Sequence, residues 1–143
     1  RGMFYRYFDS KKDALDALID HTLVEYMTTI SFEENEKSED PLGIRALLLY
    51  WKSQKPLLDA LKKSERSGML VQRALLIANN LDVLPDFMQI RDQQLREYGT
   101  MFLVCGLMTM IVRWHHDGFC RSTEEMAQLA MHLFTQPMFS GER

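Results

Sequence analysis

Apolar residues recur at helical spacing through most of this chain. From Ala14 they fall at Leu15, Leu18, Ile19, Leu23, Tyr26, Met27 and Ile30, the i, i+3, i+4, i+7 rhythm that lays one face of a helix on a core. Asp13, Asp16, Asp20 and Glu25 take the other face, and Ser10 is placed to cap the N-terminus. Glu33, Glu34, Glu36, Glu39 and Asp40 surround one Lys37, a run that predicts a solvated loop. Asp40-Pro41 then predicts a capped restart with proline in the first helical position. Leu42, Ala46, Leu49 and Tyr50 continue that helix, Lys55-Pro56 interrupts it, and Leu57, Leu58 and Leu61 give a short successor ending near Ser64.

A further helix is predicted over about Met69–Asn80, closed by Asn79-Asn80 and Leu84-Pro85. Asp86 is then placed to cap a long helix running from Phe87 through Ile90, Tyr98, Met101, Cys105 and Met108 to Val112, with Gly118 as its C-terminal stop. Ser122-x-x-Glu125 is a capping box for a last helix that ends before Pro137. No stretch alternates with period two and no repeat is visible. The expected fold class is all-α, a compact helical bundle.

The last two helices carry too much apolar surface for one contact. Met101–Val112 is apolar nearly all round, and the final helix shows Met126, Ala127, Leu129, Ala130, Met131, Leu133 and Phe134. A chain this small can enclose few helices completely, so the pattern predicts a homodimer whose interface is built on Met108, Ile111, Met126, Leu129, Ala130 and Leu133. A central core helix with a modest exposed patch is the alternative.

Composition narrows the class. The 143 residues have a mass of 16.8 kDa, are 46% hydrophobic and carry only seven glycines and four prolines, which fits one folded domain rather than a low-complexity chain. Two cysteines, Cys105 and Cys120, make no disulfide framework, and a reduced, cytoplasmic protein is expected. The aromatic, charged opening is not a secretory signal pattern. The apolar run at Met101–Val112, about a dozen residues, is too short to cross a bilayer, so no membrane association is expected. No nucleophile elbow, metalloprotease helix, phosphate-cradling loop or dinucleotide fingerprint occurs. His115, His116 and Cys120 lack the repeated spacing of a metal site. Neither enzyme activity nor a cofactor or metal is expected.

Ten methionines interleave with aromatic residues along these helices. Methionine fills irregular space and suits an adaptable pocket, and a small-molecule site is predicted around Tyr50, Met88, Tyr98 and Phe102, with Gln54 and Arg91 as orienting polar groups. An ordinary methionine-rich core explains the same residues.

Seventeen basic against twenty acidic residues give a net charge of −3, which by itself does not suggest nucleic acid. The first fifteen residues depart from that average. Arg1, Arg6, Lys11 and Lys12 against Asp9 and Asp13 leave a local charge of +2. Tyr5 and Tyr7 bring hydroxyls, and Lys11 stands at a predicted helix N-terminus, the group types that grip phosphates.

Gly2, Phe4, Tyr5, Tyr7, Phe8, Ser10, Lys11 and Leu15 together resemble the end of the DNA-binding domain of the TetR (tetracycline-repressor-like) family of bacterial regulators. The resemblance implies that residues 1–12 are the C-terminal remnant of a helix-turn-helix domain and 13–143 a ligand-binding and dimerisation domain. It implies that Arg1, Met3, Tyr5, Tyr7 and Lys11 contact DNA, with Met3 and Tyr5 toward bases or backbone and Tyr7 and Lys11 on phosphates. Phe4, Phe8 and Leu15 would pack the small DNA-binding core. The closing part, from Phe102 through Gly106, Arg113-Trp114 and Gly118-Phe119 to the capping box, resembles a subgroup common in low-GC Gram-positive bacteria, and the family dimerises through its last two helices. A family member carries roughly 40 residues ahead of the position of Arg1, and specific DNA binding is expected only with them. The expected function is a DNA-binding transcriptional regulator, a repressor, whose partners are a second copy, operator DNA and a small-molecule effector. The alternative is a TetR-like interaction module or coactivator that does not act as a classical DNA-binding repressor.

Overall fold

The computed structural model describes residues 11–29, 40 and 42–135, and all their regular structure is helical. The elements are α1 (Lys11–Thr29), α2 (Ile44–Ser53), α3 (Lys55–Lys63), α4 (Ser67–Ala78), a 3₁₀ turn (Asp86–Met88), α5 (Gln93–His116) and α6 (Thr123–Thr135). The all-α class is as expected. Ser10 and the acidic run up to Glu39 lie outside the described residues.

Most boundaries follow from the local chemistry. Asp40 does cap α2, but from a distance: its carboxylate accepts from the backbone N–H groups of Arg45 and Ala46 at 3.0 and 3.2 Å, and the helix starts at Ile44, after the position expected from Pro41. Gln54 breaks the chain between α2 and α3, with Pro56 in the first turn of α3, where its missing N–H costs nothing. At the end of α5, Gly118 adopts φ +73, and the N–H groups of Gly118 and Phe119 return to the carbonyls of His115 and Trp114, the left-handed stop that glycine tolerates best. The capping box on α6 is complete. The Glu125 N–H donates to Ser122 Oγ at 3.1 Å, and Glu125 Oε1 accepts from the Ser122 N–H.

One boundary differs from expectation. The long helix does not start at Asp86. Pro85 is extended, residues 86–88 make a single 3₁₀ turn, and Gln89 takes φ 57, which ends any helical course. Asp92 is the cap instead, accepting from the Leu95 N–H at 3.0 Å. A second carboxylate six residues on thus took the role given to the first.

The most extensive helix–helix contact is between α4 and α5. α6 lies along α2, α1 packs on α4, and α3 bridges α4 and α5. One core runs through these layers, from Ile44, Leu48 and Trp51 of α2 to Leu61 of α3, Leu70 of α4 and Leu103, Leu107, Ile111 and Trp114 of α5. Polar side-chain contacts also tie the layers together. The Arg73 guanidinium forks onto both oxygens of Asp20, docking α4 on α1. His115 Nε2 lies 2.7 Å from Asp59 Oδ1, docking α5 on α3.

At 24 residues, α5 is twice the apolar run read from the sequence. By length and composition it is able to cross a membrane, with a mean hydropathy of 1.3 over its best 18-residue window. Its faces are unequal: Leu103, Leu107, Ile111 and Trp114 point into the bundle, whereas Tyr98 and Phe102 are 65% and 73% exposed.

Candidate functional site

A cavity of about 550 Å³ opens among α1, α2, α4, α5 and the segment that precedes α5. It exists because small and large residues face each other there. Ala74 and Ala78, one turn apart on α4, lie across from Leu103, Leu107 and Met108 of α5. Helices spaced by leucine and methionine cannot close down on alanine, and a gap remains. Tyr26 and Met27 of α1 and Trp51 of α2 complete the wall on one side, and residues 81–87, with Leu84 buried, complete it on the other.

The 81–87 segment is irregular backbone, yet it is held firmly. Arg96 on the first turns of α5 reaches back with its guanidinium. Nε donates to Asp82 Oδ2 at 2.7 Å and Nη2 to Asp82 Oδ1 at 2.9 Å, while Nη1 donates to the Ile90 carbonyl at 2.7 Å and Nη2 also to that of Leu84. One planar fork thus satisfies a carboxylate and two backbone acceptors. These bonds push the Asp82 carboxyl below its ordinary value and raise the Arg96 guanidinium further. Tyr26 stacks on Tyr50 at 5.1 Å, and burial, aided by the charge of Asp40, pushes its hydroxyl up to about 12. It therefore stays a neutral O–H. The Trp51 indole N–H is buried with no acceptor. Among the described residues that line the cavity there is no lysine, arginine or histidine.

None of the six residues expected to form the small-molecule site lines this cavity. Tyr50 stands behind Tyr26, its hydroxyl donating to the Thr22 carbonyl at 3.0 Å. Gln54 sits at the α2–α3 break, Met88 in the 3₁₀ turn packed on the core, and Arg91 at the surface. Tyr98 and Phe102 face outward. The correction has a simple cause: apolar character nearly all round α5 hides its phase, and the aromatic residues fall on the arc opposite Leu103 and Leu107. The small pair Ala74/Ala78, followed by apolar residues in a non-helical segment (Leu81, Val83, Leu84), was the available signal.

The interface prediction divides in the same way. Met108, Ile111 and Ala130 are core residues of the protomer, buried at 4%, 0% and 0% exposure, and present no outer surface. Met126 is half-buried against the core, whereas Leu129 and Leu133 of α6 are 48% and 56% exposed. With Leu95, Tyr98 and Phe102 of α5 they make the outward apolar surface of the last two helices. Phe102 stacks edge-on against Phe134 at 6.1 Å, joining the two helices' apolar residues. Of the expected DNA contacts, Lys11 is exposed at the first position of α1. Arg1, Met3, Tyr5 and Tyr7 lie outside the described residues.

Other titratable groups are engaged in contacts between helices. Asp59 is held below its usual value by hydrogen bonds from Lys55 and His115, and His116 Nε2 contacts Ser67 Oγ at 3.1 Å. Among the described residues no three histidine, cysteine, aspartate or glutamate side chains are grouped to hold a metal ion.

The fold and the site together define an all-helical protein with an apolar, small-molecule-sized cavity between its helices. No family model, curated protein or solved structure matches the chain.

Proposed function

We propose that this chain is the effector-binding and dimerising part of a DNA-binding transcriptional regulator, a repressor of the TetR type. The observation that carries the reading is the course of α1. At one end stands the exposed Lys11, directly after the basic aromatic segment. Toward the other end, Leu23, Tyr26 and Met27 line the cavity. Nineteen helical residues span about 28 Å. A molecule entering the cavity pushes on one end of a stiff rod, and the other end carries the DNA contacts. The coupling requires that the effector bind the DNA-competent and DNA-incompetent arrangements with different affinity. The outward apolar residues of α5 and α6 supply the second requirement, a face for another copy that places two recognition elements on one palindromic site.

The test is a gel-shift titration of the protein translated from the complete reading frame against the DNA upstream of that frame. A specific complex is expected, weakened by Tyr7→Phe and by Lys11→Ala, with a shallower dependence of affinity on salt in the lysine variant. Unchanged affinity and salt slope in both variants count against the assignment, and the absence of any specific complex favours the coactivator alternative. Sedimentation gives an independent check: the chain is expected to be a dimer at micromolar concentration, and Phe102→Glu to leave a monomer of 16.8 kDa.

A further inference from the structure

We propose that the cavity takes an uncharged, largely apolar molecule that carries a hydrogen-bond acceptor such as a carbonyl or ether oxygen, and that it excludes carboxylates and organic cations of the same size. The inference rests on the reading of the cavity as an effector site and narrows the class of effector.

Size and wall chemistry carry it. A volume of about 550 Å³ falls within the range of small-molecule sites. The wall is mostly aliphatic and aromatic, and among the described residues that line it an anionic head group meets no lysine, arginine or histidine. A buried, unpaired carboxylate is strongly disfavoured.

The acids nearby do not select a cation. Asp82 is already forked by Arg96. Asp40 is engaged by the backbone amides at the start of α2. Asp86 is exposed to water, where an ion pair is weak. Among the described residues at the cavity, no carboxylate is therefore both buried and available to a cationic ligand. What the wall does offer is a donor: Tyr26 lines it, and its hydroxyl stays protonated across the accessible pH range. A ligand oxygen satisfies such a donor without bringing a charge, and the hydrogen bond fixes the orientation of an otherwise slippery apolar body.

The experiment is a fluorescence titration of the 143-residue chain with three probes of similar size: Nile red, which is neutral and carries a carbonyl; dansylglycine, a carboxylate; and Nile blue, a cation on the ring system of Nile red. Nile red is expected to bind one per chain, at least ~10-fold more tightly than either charged probe. Ala74→Leu, which fills the cavity, is expected to weaken it by a similar factor, with the helical circular dichroism retained. If that variant does not fold, Ile77→Phe on the same wall replaces it. Tyr26→Phe is expected to lower Nile red affinity several-fold while leaving the binding of a pure hydrocarbon competitor unchanged. Preferential binding of the anion or the cation, lost in Ala74→Leu, overturns the proposed class while leaving the cavity as an effector site. Binding of all three probes that is indifferent to Ala74→Leu and Ile77→Phe places them on the outer apolar surface and overturns both the class and the effector-site reading.

Discussion

Gly99 is the residue at which the packing of the cavity wall can be tested most directly. It lies inside α5, facing the 81–87 segment, and a Cβ added there would stand 2.6 Å from Leu84 Cδ1, 3.4 Å from Cδ2 and 3.5 Å from Cγ. Two terms oppose each other in Gly99→Ala. The helix gains about 1 kcal/mol from replacing an interior glycine by alanine. Against this, overpacking a filled core costs about 1–3 kcal/mol. Leu84 borders the cavity, so its isobutyl group has somewhere to turn, and the cost falls at the low end. The net effect expected is a destabilisation of roughly 0–1 kcal/mol, a fall in the unfolding midpoint of no more than ~4 °C. The displaced side chain then occupies cavity volume, so Nile red affinity drops although no residue of the cavity has been changed. The decisive measurement is a double-mutant cycle with Leu84→Ala by urea denaturation. With the leucine gone, Gly99→Ala should stabilise by its full ~1 kcal/mol, a coupling of about 1–2 kcal/mol between the two positions. A gain of ~1 kcal/mol from Gly99→Ala in both backgrounds would refute the close approach of Leu84 to α5 and the account of the wall built on it.

Three further outcomes are expected. Ser122→Ala removes the acceptor for the Glu125 N–H and should cost ~1 kcal/mol of stability, read as a lower urea midpoint with unchanged slope. Because Asp82 has its pKa lowered in the fold by Arg96, its contribution is present above the unfolded carboxylate value of about 3.9 and is lost as pH falls through the folded value. Asp82→Asn should therefore lower the urea midpoint at pH 7 and flatten its decline between about pH 4 and pH 2; an acid limb as steep as before would show that the pair contributes nothing. His115→Leu deletes the contact that joins α5 to α3 and should destabilise by about 1–3 kcal/mol, whereas His116→Leu, at an exposed position, should change little.

Much of the local architecture was legible in the residues themselves. The proline in the first turn of α3, the glycine stop after α5 and the Ser122/Glu125 box each work through groups within five residues of one another, so the chain in isolation already contains both partners. The start of α5 was not legible, because Asp86 and Asp92 are equivalent caps on paper. What separates them is the positive φ of Gln89 and the hold of Arg96 on Asp82, Leu84 and Ile90, which exist only once the segment lies against the helix.

The site residues were harder still. Methionine and aromatic content announced apolar surface in excess of a simple core, but its amount says nothing about its direction. A helix that is apolar nearly all round has no phase that hydropathy can read. Tertiary packing decided it by turning Leu103 and Leu107 inward, which left Tyr98 and Phe102 outside and buried Met108, Ile111 and Ala130 in the protomer. Helix periods, the Ser122/Glu125 capping box and the basic aromatic opening are properties of neighbouring residues, and the sequence determines them by itself. The cavity is a space left where alanines of one helix meet leucines of another, and the outward apolar face is what remains after those helices have chosen their contacts. Both depend on residues far apart in the chain and arise only when the core closes.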